Sequence, residues 1–388
     1  MIDFVYHNPV KILFGRKKLT LLATELKGLG KKPLIVCGQN HLFKNSVFEQ
    51  INTLLSEADI PYHLFRGIQA NPVLSKVYEG ITQYRDQHCD CIIAIGGGSV
   101  IDTAKAISVG VVHDYDIWNL FLGKKSIQQT VPIITIPTTA GSGSEVNGGM
   151  VITNDFHNLK LGYAHRLLFP RICIADPSLT LSLPEKQTID GMIDACIHCL
   201  EPYLSHQSDN IIFQPRLLEL IIHSILKVGT SLRETPQSYH LRAEMLWLSG
   251  LAMNGLGTSG LGRVQFELHL LEHSLSALDS AISHGEGLAS LLTGWLTFNS
   301  VRLSERIDRL NLCLIENQFQ LPVRDNTNLI DYFNNLLSEF KAPRSISDIG
   351  ITSKDIPRLV MHCMVQAKIW KMKHCHERYL ADIFAACL

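Results

Sequence analysis

Through the first half of the chain, apolar residues come in short unbroken runs closed by glycine or a polar turn. KKPLIVCG (Lys31–Gly38), PYHLF (Pro61–Phe65) and CDCIIAIG (Cys89–Gly96) have this form. A further run, VPIITIPTTAGSGSEV (Val131–Val146), ends in small and hydroxyl-bearing residues. Such runs, without polar alternation, suit strands buried on both faces of a parallel sheet. Between them, Asn45–Ala58 and Val73–Gln87 place apolar residues at helical spacing, and the segment after Gly98 does the same. Strand, turn and helix in alternation predict βαβ units and a mostly parallel sheet. Ligands of such sheets bind beyond the carboxyl ends of the strands.

The turn Gly96-Gly97-Gly98-Ser99 adds chemistry to this pattern. Glycines let the backbone approach a pyrophosphate closely, and the amides opening the next helix face its negative charge. The third, spaced glycine of the common dinucleotide fingerprint is absent, and a tight strand-to-helix turn without ligand reads the same way. Thr138, Thr139, Ser142 and Ser144 could donate to a cofactor or cap turns.

A second centre is IDACIHCLE (Ile193–Glu201), an uninterrupted helical pattern. Its Asp194 and His198 are four residues apart, which puts carboxylate and imidazole on one helix face. Both are ligands for divalent transition metals, although the same spacing also describes a surface pair. Far downstream, FELHLLEHSLSALDSAISHGEGLA supplies His269, His273 and His284. Cys196 and Cys199 flank His198 in a CxxC spacing, but no second CxxC pair accompanies them, so packing is their expected role. His41, His165 and His206 have no recognisable partner and are expected in solvent.

A chain of 388 residues has room for two domains with substantial cores. A formal net charge of −1, without long runs of either sign, lacks the basic surplus of a nucleic-acid or acidic-membrane binder. No apolar segment approaches the roughly eighteen residues needed to span a bilayer. The opening MIDFVYHNPVK has no basic-then-apolar signal. Ten cysteines scattered without framework spacing suit reduced thiols in a cytoplasm.

Taken in order, IGGGSVIDTAKAIS, IPTTAGSGSEV, ADPSLTLSLP (Ala175–Pro184), the Asp194/His198 segment and the helical stretch Met253–Leu288 resemble the iron-dependent (group III) alcohol dehydrogenases. The butanol-dehydrogenase-like branch is the nearest match in pattern, from VYHNPVKILFG through about Asn299. The resemblance implies a dehydroquinate-synthase-like architecture. An α/β nicotinamide-cofactor-binding domain, residues 1–183, would precede an all-helical metal-binding and substrate domain, residues 184–388, with the break at Leu183-Pro184. It also implies four metal ligands, Asp194, His198, His269 and His284, and a proton-relay role near substrate for His273. Gly97, Gly98, Ser99 and Asp102 match the family's Gly-rich turn, Thr138, Thr139 and Ser142 its next loop, and Asn71 and Lys160 other cofactor-lining positions. His269 and His284 are fifteen apart, one more than in many relatives, which a one-residue loop insertion absorbs. Thr293 replaces a proline that relatives often carry.

The implied activity is a metal-dependent, NAD(P)-linked alcohol dehydrogenase or aldehyde reductase acting on a small alcohol or aldehyde, in a homodimer or larger homo-oligomer. Fe(II) suits the oxygen and nitrogen donors, and Zn(II) fits them too. Members favouring NAD carry Asp after the first strand's closing glycine, where its charge repels a 2′-phosphate. Gln39 stands there, so NADPH is expected to serve at least as well as NADH. Two other readings share the fold: a glycerol-dehydrogenase-like polyol oxidoreductase and a dehydroquinate-synthase-like lyase. His198 separates this chain from both, whose sites resemble ones with fewer histidines. Retention of all four ligands opposes a catalytically inactive nucleotide-binding member.

Overall fold

In the computed structural model, residues 1–39, 46–207, 210–317 and 328–388 are described. The strands fall where the apolar runs predict, with neighbours the runs do not announce. They are β1 (Lys11–Phe14), β2 (Pro33–Gly38), β3 (His63–Ile68), β4 (Cys91–Gly96), β5 (Ile133–Pro137), β6 (Gly149–Asn154), β7 (Leu159–Ala164) and β8 (Ile172–Ala175). The predicted strand at Pro61–Phe65 starts two residues later, since Pro61 has no N–H to give a sheet. The run Val131–Val146 ends as strand at Pro137, and its hydroxyl-rich remainder is loop with a short 3-10 turn at Ser144–Val146.

Six strands form one sheet in the order β1-β8-β5-β4-β2-β3, every pairing parallel, while β6 and β7 form a separate antiparallel hairpin. Ile35 and Cys37, Ile93 and Ile95, Ile134 and Ile136, and Ile172 and Ile174 alternate onto one face and share a buried core. The helices α1 (Val47–Glu57), α2 (Leu74–Asp86) and α3 (Gly98–Gly110) supply the crossovers of the first half. From β2 the chain steps to β3 on one side, then returns to β4 on the other. That reversal makes the carboxyl ends of β2 and β4 a topological switch point, the place where such sheets hold ligands.

The rest is helical: α4 (Glu185–Ser205), α5 (Phe213–Glu234), α6 (Tyr239–Met253), α7 (Glu267–Leu278), α8 (His284–Asn299), α9 (Ser304–Asn311), α10 (Leu329–Glu339), α11 (Ile356–Ile369) and α12 (Glu377–Ala386). From Met192 to Leu204 every residue of α4 is buried, and α7 is buried from Glu267 to Ala277. Helices enclosed all round belong at the centre of a bundle, and α4, α7 and α8 pack on one another there. Two compact units result: residues 7–184 with 232–250, and residues 1–6, 185–231 and 251–388. The α/β unit is therefore discontinuous in sequence, because the end of α5 and most of α6 cluster with it, which a single cut at Leu183-Pro184 does not capture.

Candidate metal centre and cofactor cradle

Three helices of the second unit converge on one carboxylate. Asp194 and His198 lie a turn apart on α4, His269 sits in the first turn of α7, and His284 opens α8. Ser283 starts α8 through a capping box with Glu286, and its Oγ donates to Asp190 Oδ2 of α4 at 2.7 Å. Gly285 permits that approach, since a Cβ there would stand 2.4 Å from Asp190 Cα. The result seats three imidazole nitrogens around Asp194 Oδ1: His198 Nδ1 at 3.4 Å, His269 Nε2 at 3.5 Å and His284 Nε2 at 3.5 Å.

These separations are long for hydrogen bonds and right for shared coordination. Two ligands about 2.0–2.2 Å from one tetrahedral ion stand about 3.3–3.6 Å apart. Asp194 Oδ1, His198 Nδ1 and His269 Nε2 are buried without a hydrogen-bond partner among the described residues. Orphaned polar atoms of this kind cost about 1–3 kcal/mol each unless something satisfies them. A divalent cation would satisfy all three, so the residues present fit the group. A second His/Cys/carboxylate cluster differs in kind. Glu267 takes His374 Nε2 at 2.7 Å, Trp295 Nε1 at 2.7 Å and Tyr379 OH at 3.0 Å, and so closes by hydrogen bonds alone.

Burial pushes the His198 imidazole down to about 3, which leaves it neutral with a lone pair to give. Burial would raise the Asp194 carboxyl, but the neighbouring His198 and His284 outweigh it and hold Asp194 well below the carboxylate range. His269 runs the other way: burial disfavours its charge, yet Glu201 and Asp194 push it up to about 10. The far nitrogens of two rings are also held, His269 Nδ1 by Glu201 and His284 Nδ1 by Glu272. Sequence reasoning missed both glutamates, since Glu in a helix ordinarily faces solvent.

His273 lies one turn beyond His269, its ring centroid 5.9 Å from that of His284 and 6.0 Å from that of Trp370. Its Nδ1 stands 3.0 Å from Gln366 Oε1 of α11. Phe266 and His269 meet in a T-shaped arrangement, their ring centroids 5.6 Å apart. Cys196 and Cys199 are buried, and burial pushes the Cys196 thiol up to about 12. His206, expected in solvent, is instead buried beside Tyr203, at 6.4 Å between ring centroids. His165 is half-buried and caps a short turn by accepting from Leu167 N, while His41 lies outside the described residues.

In the α/β unit, the Gly-rich turn and the loop after β5 meet at the switch point. A Cβ on Gly97 would stand 2.7 Å from Thr139 Oγ1, and one on Gly98 2.5 Å from Ser142 Oγ. Thr138 N donates to Gly96 O at 3.1 Å, and Ser99 lies in the first turn of α3. Asp102 is engaged within the unit, accepting from Ser144 Oγ at 2.6 Å and Val151 N at 2.9 Å. Lys160 Nζ donates to Asn71 Oδ1 at 2.9 Å, both residues buried. The fully buried Lys105 donates to Ser144 O at 2.7 Å, Asn147 O at 3.0 Å and Gly149 O at 2.6 Å, fixing the loop's path. Gln39, exposed at the end of β2, accepts on its backbone oxygen from Arg66 Nη2 at 3.2 Å. The pairing of β3 with β2 is what brings Arg66 beside Gln39.

Two family models match the chain in succession: iron-containing alcohol dehydrogenase over residues 9–177, and the C-terminal part of the Fe-containing alcohol dehydrogenase family over residues 188–385. A probable NADH-dependent butanol dehydrogenase of Bacillus subtilis is 30% identical over 390 residues, covering 100% of both chains. An NADPH-dependent aldehyde reductase of Escherichia coli is 28% identical over 93% of this chain and 92% of its own. The crystal structure of an NADH-dependent butanol dehydrogenase A from Thermotoga maritima superposes with a TM-score of 0.92 at 32% identity, covering 100% of this chain and 99% of that one. With both halves matched in order and full-length relatives at this identity, the chain belongs to the iron-containing alcohol dehydrogenase family.

Proposed function

We propose that this chain reduces small aldehydes, or oxidises the matching alcohols, with a divalent metal held by Asp194, His198, His269 and His284. Family membership makes it a nicotinamide-linked alcohol dehydrogenase or aldehyde reductase; the ligand assignment is the further step. One observation carries it: three imidazole nitrogens stand 3.4–3.5 Å from a single buried carboxylate oxygen, at the spacing of a shared ion rather than of hydrogen bonds. When bound, the cation supplies Lewis-acid stabilisation of negative charge developing on the reacting oxygen. His273 stands beside the ligand His284 and, held by Gln366, is the chain's own group for passing a proton. Phe266 and Trp370 place apolar rings next to these histidines, which favours a small, partly apolar substrate.

The nicotinamide cofactor we place on Gly97, Gly98, Ser99, Thr138, Thr139 and Ser142, with Asn71, Lys160 and Asp102 shaping the surroundings. Its adenosine ribose then lies toward Gln39. A neutral Gln with the Arg66 guanidinium alongside favours a 2′-phosphate, so NADPH is the preferred form. Fe(II) is the leading metal, with Zn(II) compatible. All ten cysteines are buried thiols outside any disulfide, which supports a reducing cytoplasmic setting. Exposed apolar residues at both Phe4–Tyr6 and Ile212–Phe213 support a homodimer or larger assembly.

The test is metal analysis of wild type and His198→Ala, followed by NAD(P)H oxidation with a panel of short aldehydes. Wild type should carry about one divalent ion per chain. His198→Ala should lose most of it, together with activity, while keeping its thermal transition. Normal occupancy in that variant would sink the assignment.

A further inference from the structure

We propose that Glu272 is the positioning residue that fixes His284 as a metal ligand, and that Gly287 makes the room it needs. The proposal rests on the reading of Asp194, His198, His269 and His284 as one metal site. Among those four, His284 is the least enclosed: its side chain is 29% exposed, against 7–8% for the others. It is the first residue of α8, with its ring centroid 5.3 Å from that of His269 and 5.9 Å from that of His273. Glu272, fully buried on α7, meets its Nδ1 through Oε2.

The chemistry of that contact determines the tautomer. A carboxylate only accepts, so His284 Nδ1 must carry the hydrogen, and Nε2 keeps the lone pair. Nε2 is the atom that faces Asp194 Oδ1 at 3.5 Å. A carboxylate bonded behind a ligating imidazole also raises its basicity and locks its plane. A buried negative charge is costly without compensation, and the cation at the centre of this site would provide it.

Gly287 is the independent sign that the carboxylate is fitted here. Residues 284 and 287 share a face of α8. A Cβ on Gly287 would stand 2.9 Å from Glu272 Cγ and 3.1 Å from Glu272 Oε1, so a side chain there must shift Glu272 from its place beside His284. Glu201 makes the matching contact with His269, but it also accepts from Leu268 N at the start of α7, so its loss would disturb the helix as well. Glu272 therefore gives the cleaner experiment.

The experiment measures the affinity of the full-length protein for Zn2+ alone by competition with a chromophoric chelator. It compares wild type, Glu272→Ala, Glu272→Gln and Gly287→Ala, with thermal unfolding of the metal-free proteins as a control. Glu272→Ala should bind about 10–100-fold more weakly. Glu272→Gln should lose less, because its amide oxygen can accept the same bond without the charge. Gly287→Ala should also weaken binding although it touches no ligand, and NADPH affinity should hold within about twofold in all three. Should Glu272→Ala fail to fold, the other two variants decide. Zn2+ affinity within about twofold of wild type in the folded variants overturns the role of Glu272. A wild type that binds no divalent ion overturns the metal site itself, and this role with it.

Discussion

Gly98 and Ser142 approach so closely that a methyl group on Gly98 would stand 2.5 Å from the serine Oγ. The Gly-rich turn and the loop after β5 thus fit together only because Gly97 and Gly98 carry no side chain. Gly98→Val would push the loop away and set a branched chain where backbone amides should meet a pyrophosphate. We expect the dissociation constant of NADPH to rise at least tenfold, roughly 1.4 kcal/mol, with metal content unchanged. Fluorescence titration of the cofactor gives the answer, and unaltered affinity would mean that the turn is only structural.

We expect Gln39 and Arg66 to set cofactor choice. Wild type should use NADPH at least as efficiently as NADH. Gln39→Asp should reverse the order by repelling the 2′-phosphate. Arg66→Ala should lower kcat/KM for NADPH and leave NADH nearly untouched, which separates phosphate recognition from general damage. A wild type that prefers NADH by more than about tenfold, or roughly 1.4 kcal/mol in transition-state binding, refutes this reading.

Much of the architecture was legible because its signals are local. Strands β2, β4 and β5 announce themselves as apolar runs, being covered on both faces. Strand β7 does not, because Lys160 and Gly162 break its pattern, and β8 has only four residues. Asp194 and His198 are visible as a helical pair, and the resemblance to a family brought in His269 and His284. What the sequence could not reveal are partners made by tertiary packing. Glu201 and Glu272 look like solvated helix residues until the fold encloses them, and His206, expected in solvent, is buried. Arg66 gained meaning only from the pairing of β3 with β2.

Glu145 makes stability depend on pH. Burial pushes its carboxyl up to about 7, above its unfolded value. The folded state therefore holds a proton that the unfolded chain releases, so this contribution is complete below the unfolded pKa and is lost as pH rises through 7. Lys105, pushed down to about 8 by burial, stays charged through most of that window. Between about pH 4.5 and 7.5 the loss should approach 3 kcal/mol. Glu145→Gln should abolish it, so the variant gains on wild type as pH rises from 5 to 8 in parallel thermal scans. Parallel pH dependence in the two proteins would refute the assignment.

His273 and Gln366 should act as one unit in catalysis. Gln366 Oε1 stands 3.0 Å from His273 Nδ1, and an amide oxygen only accepts, so the imidazole hydrogen is held on Nδ1 and Nε2 is left to exchange a proton. Both residues are buried, which keeps water from replacing the bond. Gln366→Leu preserves bulk and removes the acceptor. If His273 relays a proton, kcat should fall about tenfold, the worth of one orienting hydrogen bond, with little change in KM. His273→Ala should cost more, on the order of a hundredfold. The decisive measurement is the double variant. Where Gln366 works only through His273, adding Gln366→Leu to His273→Ala changes nothing further, giving a coupling energy equal to the whole effect of the single replacement. Additive losses would instead mean that Gln366 merely packs α11 against α7.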